Sequence, residues 1–220
     1  MSRPQNQART QQTRSTETRA AILAAAADAF AQAGLAGART EAIAAAAGVN
    51  KAMLYYYFKS KSHLYEAVVE DHFEEFNRRA LEVLAGPGPA RAVLLRYVSL
   101  HFDFITARQR YACIYQQMMM TGGRALERLV RKYFLPRSQA LDRVLERGMR
   151  EGEFRRADRR HTAISLVALI VFYFSASQVL HLLGQSDTYD RASLKIRKRE
   201  VLDFIRHGLF LHPDDPCHET

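Results

Sequence analysis

The side chains best suited to chemistry in this chain are cationic, and they are concentrated towards its N-terminus. The 220 residues carry a formal net charge of +9 at pH 7. Residues 1–61 contain eight Lys or Arg residues against three acidic ones. This suits a polyanion such as DNA, because neutralising phosphates releases counterions and supplies sequence-independent affinity. A solvated basic surface has the same composition, so both interpretations stay open. The basic residues are Arg3, Arg9, Arg14, Arg19, Arg39, Lys51, Lys59 and Lys61.

The chain lacks the short motifs that carry much of enzyme chemistry. It has no GxSxG elbow, no Walker loop and no GxGxxG turn after a strand, and its eight histidines are scattered. Cys113 and Cys217 show no repeated spacing, so neither a disulfide framework nor a zinc ribbon is indicated. The tail 212–218 groups metal-ligand residue types, but its prolines are typical of an irregular chain end. We therefore predict no enzyme, no cofactor and no metal site.

Two short helices that meet at a corner are predicted in the first quarter of the chain. Thr40 and Asn50 can cap them, because their side-chain oxygens can accept unpaired amide hydrogen bonds at a helix start. Gly48 between them allows the positive φ of a tight turn. Ile43 and Leu54 supply apolar contacts that fix the second helix across the first. This geometry is typical of a helix-turn-helix, whose second helix fits the major groove of DNA.

The remaining sequence also has a helical pattern, and no segment shows the alternation and hairpin turns of a β domain. The prediction is an all-α fold of about nine helices, with an N-terminal three-helix helix-turn-helix domain followed by a larger helical domain. The predicted parts are a flexible basic arm (1–15), the helix-turn-helix domain (16–62), the larger domain (63–210) and a flexible tail (211–220). The predicted helices are 16–33, 41–47, 51–58, 61–84, 90–106, 108–120, 123–150, 159–184 and 189–209.

A set of residues between Arg19 and Leu64 follows a known family pattern in order and spacing. It comprises Arg19-Ala-Ala-Ile-Leu23, Phe30, Gly34, Thr40, Ile43, Ala44, Ala47-Gly-Val49, Leu54, Tyr55, Tyr57, Phe58, Lys61 and Leu64. These residues resemble the DNA-binding domain of the TetR family of one-component repressors and cover nearly all of it. Beyond residue 70 the resemblance extends only to general architecture. It implies a sequence-specific DNA-binding regulator with a ligand-binding and dimerisation domain.

The resemblance implies three kinds of contact with double-stranded DNA. Thr40 and Lys61 would bind backbone phosphates, for which hydroxyls and lysines are common anchors. The start of the second helix would face base edges, and its tyrosines would reach phosphates or thymine methyls, with Phe58 as a buried anchor. Packing of the short helix is the alternative role of the tyrosines. The base-edge residues are Lys51, Ala52 and Met53, the tyrosines are Tyr55 and Tyr57, and further contacts are Arg39 and Tyr56.

The segment between Arg160 and Asp187 contains no formally charged residue. Its length fits a membrane span, although several polar residues interrupt it. The resemblance offers another explanation, because the family pairs through its last two helices, here 159–184 and 189–209. A helix covered by its own subunit and by a partner is apolar all round. We therefore expect a cytoplasmic homodimer, not a membrane protein, that reads a palindromic operator.

The resemblance also implies a small-molecule effector site in the second domain. Aromatic and methionine side chains with a few polar groups form pockets for moderately apolar ligands, although the same pattern is typical of a plain core. The effector would favour a dimer in which the spacing of the two recognition helices does not match successive major grooves. The protein would then release the DNA. The alternative is a nonspecific architectural DNA-binding protein without effector control. The pocket candidates are His101, Phe102, Ile105, Tyr111, Tyr115, Met118 and Met119, with Phe172, Tyr173 and Gln178 opposite.

Overall fold

The periodic apolar pattern of the sequence forms helices throughout the computed structural model, which describes residues 3–108, 119, 122–184, 187 and 189–214. Within these ranges, one isolated β-bridge joins Phe154 to Phe210. The all-α prediction is confirmed. The chain divides into two compact units, one containing residues 3–72 and the other residues 73–108 and 122–214. The division falls within a single helix, Lys61–Leu84, whose start the sequence placed at the boundary of the first domain.

Three helices and the first half of a fourth form the first unit. Their apolar side chains recur every three or four residues, which places them on one face of each helix. The helices are α1 (Arg3–Gly37), α2 (Thr40–Ala46), α3 (Lys51–Tyr57) and α4 (Lys61–Leu84). The fully buried core side chains include Ile22, Ala26, Phe30, Ile43, Leu54, Leu64 and Val68.

The first helix extends further towards the N-terminus than the sequence predicted. The backbone is helical from Arg3, where we expected an arm without regular structure over residues 1–15. Adding a residue to an existing helix costs little free energy, and the Gln, Arg and Ala residues of this segment are good helix formers. Gly34 interrupts the helical geometry as predicted, with φ of 66° and ψ of 178°.

The second unit is built from the later half of α4 and the helices that follow. Its helices are α5 (Ala90–Ala107), α6 (Gly123–Leu129), α7 (Leu135–Arg150), α8 (Arg159–Ser175), α9 (Ser177–Leu182) and α10 (Arg191–Leu209). Aspartates cap two of them, since the Asp158 side chain accepts a hydrogen bond from the His161 amide and Asp190 accepts from two amides at the start of α10. One continuous core joins α4, α5, α7, α8 and α10.

Two predicted helices are interrupted in the second unit. The predicted helix 123–150 contains a π-helical segment, Val130–Phe134, between α6 and α7. Pro136 explains it, because proline offers no amide hydrogen and its ring clashes with the carbonyl four residues earlier, which a wider turn relieves. The predicted helix 159–184 is divided at Ala176 into α8 and α9.

The bend after α7 connects three parts of the second unit. The Glu153 carboxylate accepts hydrogen bonds from the Ala90 and Arg91 amides, both at 2.9 Å, and so caps α5. The Phe154 ring stacks on Phe210, with 5.3 Å between ring centroids. Phe154 is 1% exposed. The bend therefore ties the beginning of α5 to the end of α10.

By length and composition, one stretch among the described residues could cross a membrane, namely Gln12–Gly37 of α1. Core helices pass the same test, and Ile22 and Phe30 of this stretch are fully buried in the first unit. The uncharged segment after Arg160, which the sequence offered as a span, is divided between two shorter helices.

Candidate nucleic-acid interface

A tight corner, a side-chain cap and one buried leucine hold α3 in place. Gly48 has φ of 68°, in the left-handed region that favours glycine. The Asn50 Oδ1 atom accepts a hydrogen bond from the Met53 amide at 2.7 Å, so the predicted cap is confirmed. Leu54 is completely buried. These contacts fix the inner side of α3 and leave its outer side to solvent.

Removing the Asn50 cap is expected to loosen this helix. Asn50→Ala should destabilise the protein by about 1 kcal/mol, because the Met53 amide loses its partner. For a chain of this size the melting temperature should fall by about 2–4 °C. Asn50→Ser is the matched control, since serine caps equally well. The melting temperatures are measured by circular dichroism. Equal values for the two variants would show that the cap does not contribute to stability.

The outer side of α3 carries the side chains that the sequence predicted would face DNA. Tyr56 is 81% exposed, Met53 42% and Tyr55 37%. Lys51 and Ala52 are exposed as well. The side chains thus combine a cation, two phenols and an apolar thioether on one helix, and such groups can bind phosphates, base edges and thymine methyls.

Tyr57 and Phe58 occupy the inner side of the end of α3. Phe58 is 5% exposed, which confirms the predicted buried anchor. The Tyr57 side chain is half-buried, and its hydroxyl lies 3.0 Å from the Ser15 hydroxyl of α1. Tyr57 therefore has a partner within the protein, and Tyr56 presents the more accessible phenol of the two. The prediction had ranked them in the opposite order.

Lys51 at the start of α3 forms an ion pair with Glu41 of α2, with Nζ and Oε1 2.5 Å apart. This hydrogen bond lowers the pKa of Glu41 and raises the pKa of Lys51. The side chains are 61% and 51% exposed, so solvent screens the pair and it contributes little to stability. A phosphate group could therefore replace the carboxylate as the partner of Lys51 at little cost.

Thr40 begins α2 and does not cap it, which corrects the prediction. The capping position belongs to Arg39, whose backbone is extended (φ −103°, ψ 125°) and whose exposed side chain makes no capping hydrogen bond. The buried Thr40 hydroxyl lies 3.4 Å from the Tyr55 hydroxyl and 3.4 Å from a Glu41 carboxylate oxygen. Thr40 thus touches α3, and its phosphate contact stays a prediction.

Lys61 is anchored to the end of α1. Its ammonium donates hydrogen bonds to the carbonyl oxygens of Ala36 at 3.0 Å and Ala38 at 3.2 Å. Carbonyls at a helix C-terminus carry partial negative charge, which a cation stabilises. An ammonium has three donors, so a predicted phosphate contact would use the third. That contact also stays a prediction.

The predicted pocket residues of α5 are buried in the second unit. The His101 ring lies 4.5 Å from the ring centroid of Phe76. Phe102 is 2% exposed and packs against Phe174 at 5.2 Å, as a core residue does. Ile105 is half-buried and packs against the same core. The Arg137 guanidinium covers the Phe76 ring that His101 contacts, with 4.9 Å between the guanidinium carbon and the ring centroid.

The other predicted pocket residues occupy different surroundings. Tyr173 is half-buried beneath the Arg197 guanidinium, 5.3 Å away, whereas Phe172 is 70% exposed. Gln178 and Met119 are exposed too. Phe172 and Gln178 therefore lie at the surface of the single chain, and their contact with a ligand stays a prediction. Tyr111, Tyr115 and Met118 lie outside the described residues.

Sequence reasoning missed Arg137 of α7 and the phenol of Tyr97, which is 1% exposed. The guanidinium carbon lies 5.1 Å from the Phe134 ring centroid. The three-residue spacing of Phe134 and Arg137 was an available signal, because residues three apart share one side of a helix.

In the part of the chain that the structure describes, no group of three His, Cys, Asp or Glu side chains is placed to hold a metal ion. Cys113, Cys217 and the end of the tail lie outside those residues. The prediction that the chain holds no metal thus stays a prediction.

Known proteins are similar to this chain in sequence and in fold. The HTH-type transcriptional repressor NicS of Pseudomonas putida is 26% identical over 190 residues, which cover 86% of this chain and 88% of NicS. The HTH-type transcriptional regulator RutR of Escherichia coli is 57% identical over 49 residues, 22% of this chain and 23% of RutR. A transcriptional regulator from Saccharomonospora viridis, solved with choline, superposes with a TM-score of 0.71 at 23% identity, covering 89% of this chain and 98% of that one.

Two family profiles match the chain along most of its length. Residues 22–68 match the bacterial regulatory proteins of the tetR family. Residues 89–205 match the tetracyclin repressor-like C-terminal domain, which by itself covers more than half of the chain. The resemblance drawn from residues 19–64 is confirmed and extends into the second unit. The chain belongs to the TetR family of bacterial transcriptional regulators.

Proposed function

We propose that this regulator is a cytoplasmic, ligand-responsive repressor that binds a palindromic operator as a homodimer and is released by a small organic effector. The observation that carries the proposal is the exposed outer side of α3, with Lys51, Met53, Tyr55 and Tyr56 on a helix whose inner side is fixed. A rigid helix holds side chains to a defined register on base edges, as sequence recognition requires. NicS, a relative along most of the chain, is a repressor.

Exposed apolar side chains on the last helices support the homodimer. Phe172 is 70% exposed and Phe204 65%, although monomeric surfaces seldom present such large apolar groups together. We call this set the C-terminal apolar surface. Covering it with a second copy would explain why the segment after Arg160 lacks charge on every side. Its members are Ile164, Phe172, Val179, Leu182, Leu183, Ile196 and Phe204.

The helix α4 supports coupling between an effector and DNA. It is continuous from Lys61 to Leu84, and the division between the two units falls within it. A helix shared by both units transmits displacement as a rigid element. An effector that binds one dimer spacing more tightly than the other would lower operator affinity by the difference in its binding free energies.

Selection of bound sites from random DNA with the full-length protein tests the proposal. We expect enrichment of a palindrome. Lys51→Ala should weaken binding to it about tenfold and reduce the salt slope by about one unit, because one phosphate contact is lost. Glu41→Gln should strengthen binding about two- to fivefold, because Lys51 no longer shares its charge with a carboxylate.

Arg124→Ala is the matched control, since it removes the same charge from an exposed position of α6, outside the C-terminal apolar surface. It should leave operator affinity unchanged. Equal losses of operator affinity for the Lys51 and Arg124 variants would mean that only the total charge matters. That result, or the enrichment of no motif, would contradict the proposal and indicate a nonspecific architectural DNA-binding protein.

A further inference from the structure

Aromatic side chains of the second unit enclose Arg137 in α7. Its guanidinium carbon lies 4.9 Å from the ring centroid of Phe76 and 5.1 Å from that of Phe134. Phe73 packs against Phe134 at 5.0 Å and stacks on Tyr133 at 6.2 Å. Residues of α4, the π-helical segment and α7 therefore meet around one cation. We call these five residues the Arg137 cluster.

The charge of Arg137 is not balanced within the cluster. A guanidinium stays protonated at every physiological pH. Its Nη1 atom is buried without a hydrogen-bond partner, and none of the described carboxylates forms an ion pair with it. The guanidinium interacts with the Tyr97 hydroxyl, which lowers the pKa of that phenol against the larger raising effect of burial. Aromatic faces and one hydroxyl compensate a desolvated cation only in part.

Tyr133 of the cluster and Asn77 of α4 also have buried polar atoms without partners. The Tyr133 hydroxyl belongs to a side chain that is 3% exposed, and it has no hydrogen-bond partner. The same holds for the Oδ1 atom of Asn77, which follows Phe76 in α4 and is 9% exposed. Buried polar atoms in folded proteins are almost always paired. Within the cluster, a cation and a hydroxyl donor thus remain available to a bound molecule.

We infer that the effector is an organic carboxylic acid, bound in its ionised form, whose carboxylate pairs with Arg137 and accepts a hydrogen bond from the Tyr133 hydroxyl. This inference rests on the proposed function, because it assigns the ligand class of the effector site in the second unit. The planar fork of a guanidinium matches the two oxygens of a carboxylate. The body of the acid is apolar, since the rings of Phe76 and Phe134 lie beside the charge and Phe73 packs against Phe134.

Other ligand classes fit the Arg137 cluster less well. A cationic ligand would place like charges together in a site of low dielectric constant. A phosphate monoester carries up to two negative charges, whereas one guanidinium contacts both the Phe76 and the Phe134 ring. A neutral ligand would leave the guanidinium without a counter-ion.

The test compares matched acids and amides on the full-length protein. The probes are phenylacetate, indole-3-acetate and octanoate, each beside its primary amide, with phenyltrimethylammonium as the cation. Titration calorimetry and thermal shift at pH 7 should show binding of at least one acid and much weaker binding of its amide. Arg137→Gln should weaken that acid about 10- to 100-fold, because a charge-assisted pair is lost.

Arg147→Gln is the matched control in the same helix, where the arginine donates to the Gly88 carbonyl at 3.2 Å. It should keep acid binding, and both variants should keep the operator affinity of the wild type, which shows that they fold. Binding of no probe, equal binding of acid and amide, preference for the cation, or unchanged acid binding by Arg137→Gln would each overturn the inference. Operator selection is measured separately, so a failure here leaves the DNA-binding part of the proposed function intact.

Discussion

Replacing Gly148 with alanine is expected to lower the stability of the protein by about 2 kcal/mol. A Cβ atom at this position would lie 2.2 Å and 2.3 Å from two ring carbons of Phe154. The ring cannot move away freely, because it is 1% exposed and stacked on Phe210. The higher helix propensity of alanine offsets only part of this overlap. The melting temperature, measured by calorimetry, should fall by about 4–8 °C.

Gly208→Ala is the matched control for this prediction. Gly208 also lies within a helix, α10, but no heavy atom is within 4 Å of a Cβ built on it, and it does not have positive φ. Alanine should therefore stabilise the protein there by about 0.5–1 kcal/mol. If both substitutions moved the melting temperature in the same direction, the close packing of Phe154 on Gly148 would not limit stability.

The substitution Phe204→Glu is expected to convert a dimer into a monomer and to abolish tight operator binding. Phe204 belongs to the C-terminal apolar surface and is 65% exposed in the single chain. Burying a phenylalanine contributes about 1.5–3 kcal/mol, and burying an unpaired carboxylate costs more than that. Two linked DNA-binding units gain about 10²- to 10⁴-fold in affinity over one, so operator affinity should fall by at least about 100-fold.

Sedimentation velocity and operator titration of the same samples check this prediction. Leu135→Glu is the matched control, because Leu135 is 50% exposed and apolar but lies at the start of α7, outside the C-terminal apolar surface. It should remain dimeric and bind the operator normally. A dimeric Phe204→Glu variant would place the interface elsewhere, and a monomer with full operator affinity would remove the need for a dimer.

Local signals predicted the backbone of the helix-turn-helix well. The Asn50 cap joins atoms three residues apart, and Gly48 and Leu54 act through positions within the same motif. Such interactions depend on the types and spacing of neighbouring residues, which a sequence displays directly. This is why the sequence alone predicts the recognition helix, its corner and the buried leucine that holds it.

Side-chain partners from distant segments could not be predicted in the same way. Tyr57 pairs with Ser15, 42 residues earlier, and Lys61 reaches carbonyls 25 and 23 residues earlier. These contacts decide which side chains remain available to DNA, yet they follow from how α1 crosses the other helices. The family resemblance therefore ranked Tyr57 above Tyr56 as a DNA contact, and the packing of the first unit makes Tyr56 the more exposed of the two.

The second unit shows the same division between local pattern and tertiary contact. The sequence predicted most helix positions of the described residues. The π-helical turn before Pro136 and the break at Ala176 were not predicted, and they change which side chains share a helix face. The Arg137 cluster gathers residues from α4 and from the helices after residue 130. The spacing of Phe134 and Arg137 could have marked this arginine, but the contact with Phe76 of α4 follows only from how those helices pack.

The contacts of the bend at Glu153 and Phe154 can form only late in the synthesis of this chain. The first amides of α5 receive their hydrogen bonds from Glu153, so the start of that helix stays uncapped while the next sixty or so residues are made. Phe154 cannot stack on Phe210 until Phe210 has been synthesised. Contacts so widely separated in sequence slow folding. The second unit must therefore close late in synthesis, whereas the residues of the α2–α3 corner are adjacent from the moment they emerge.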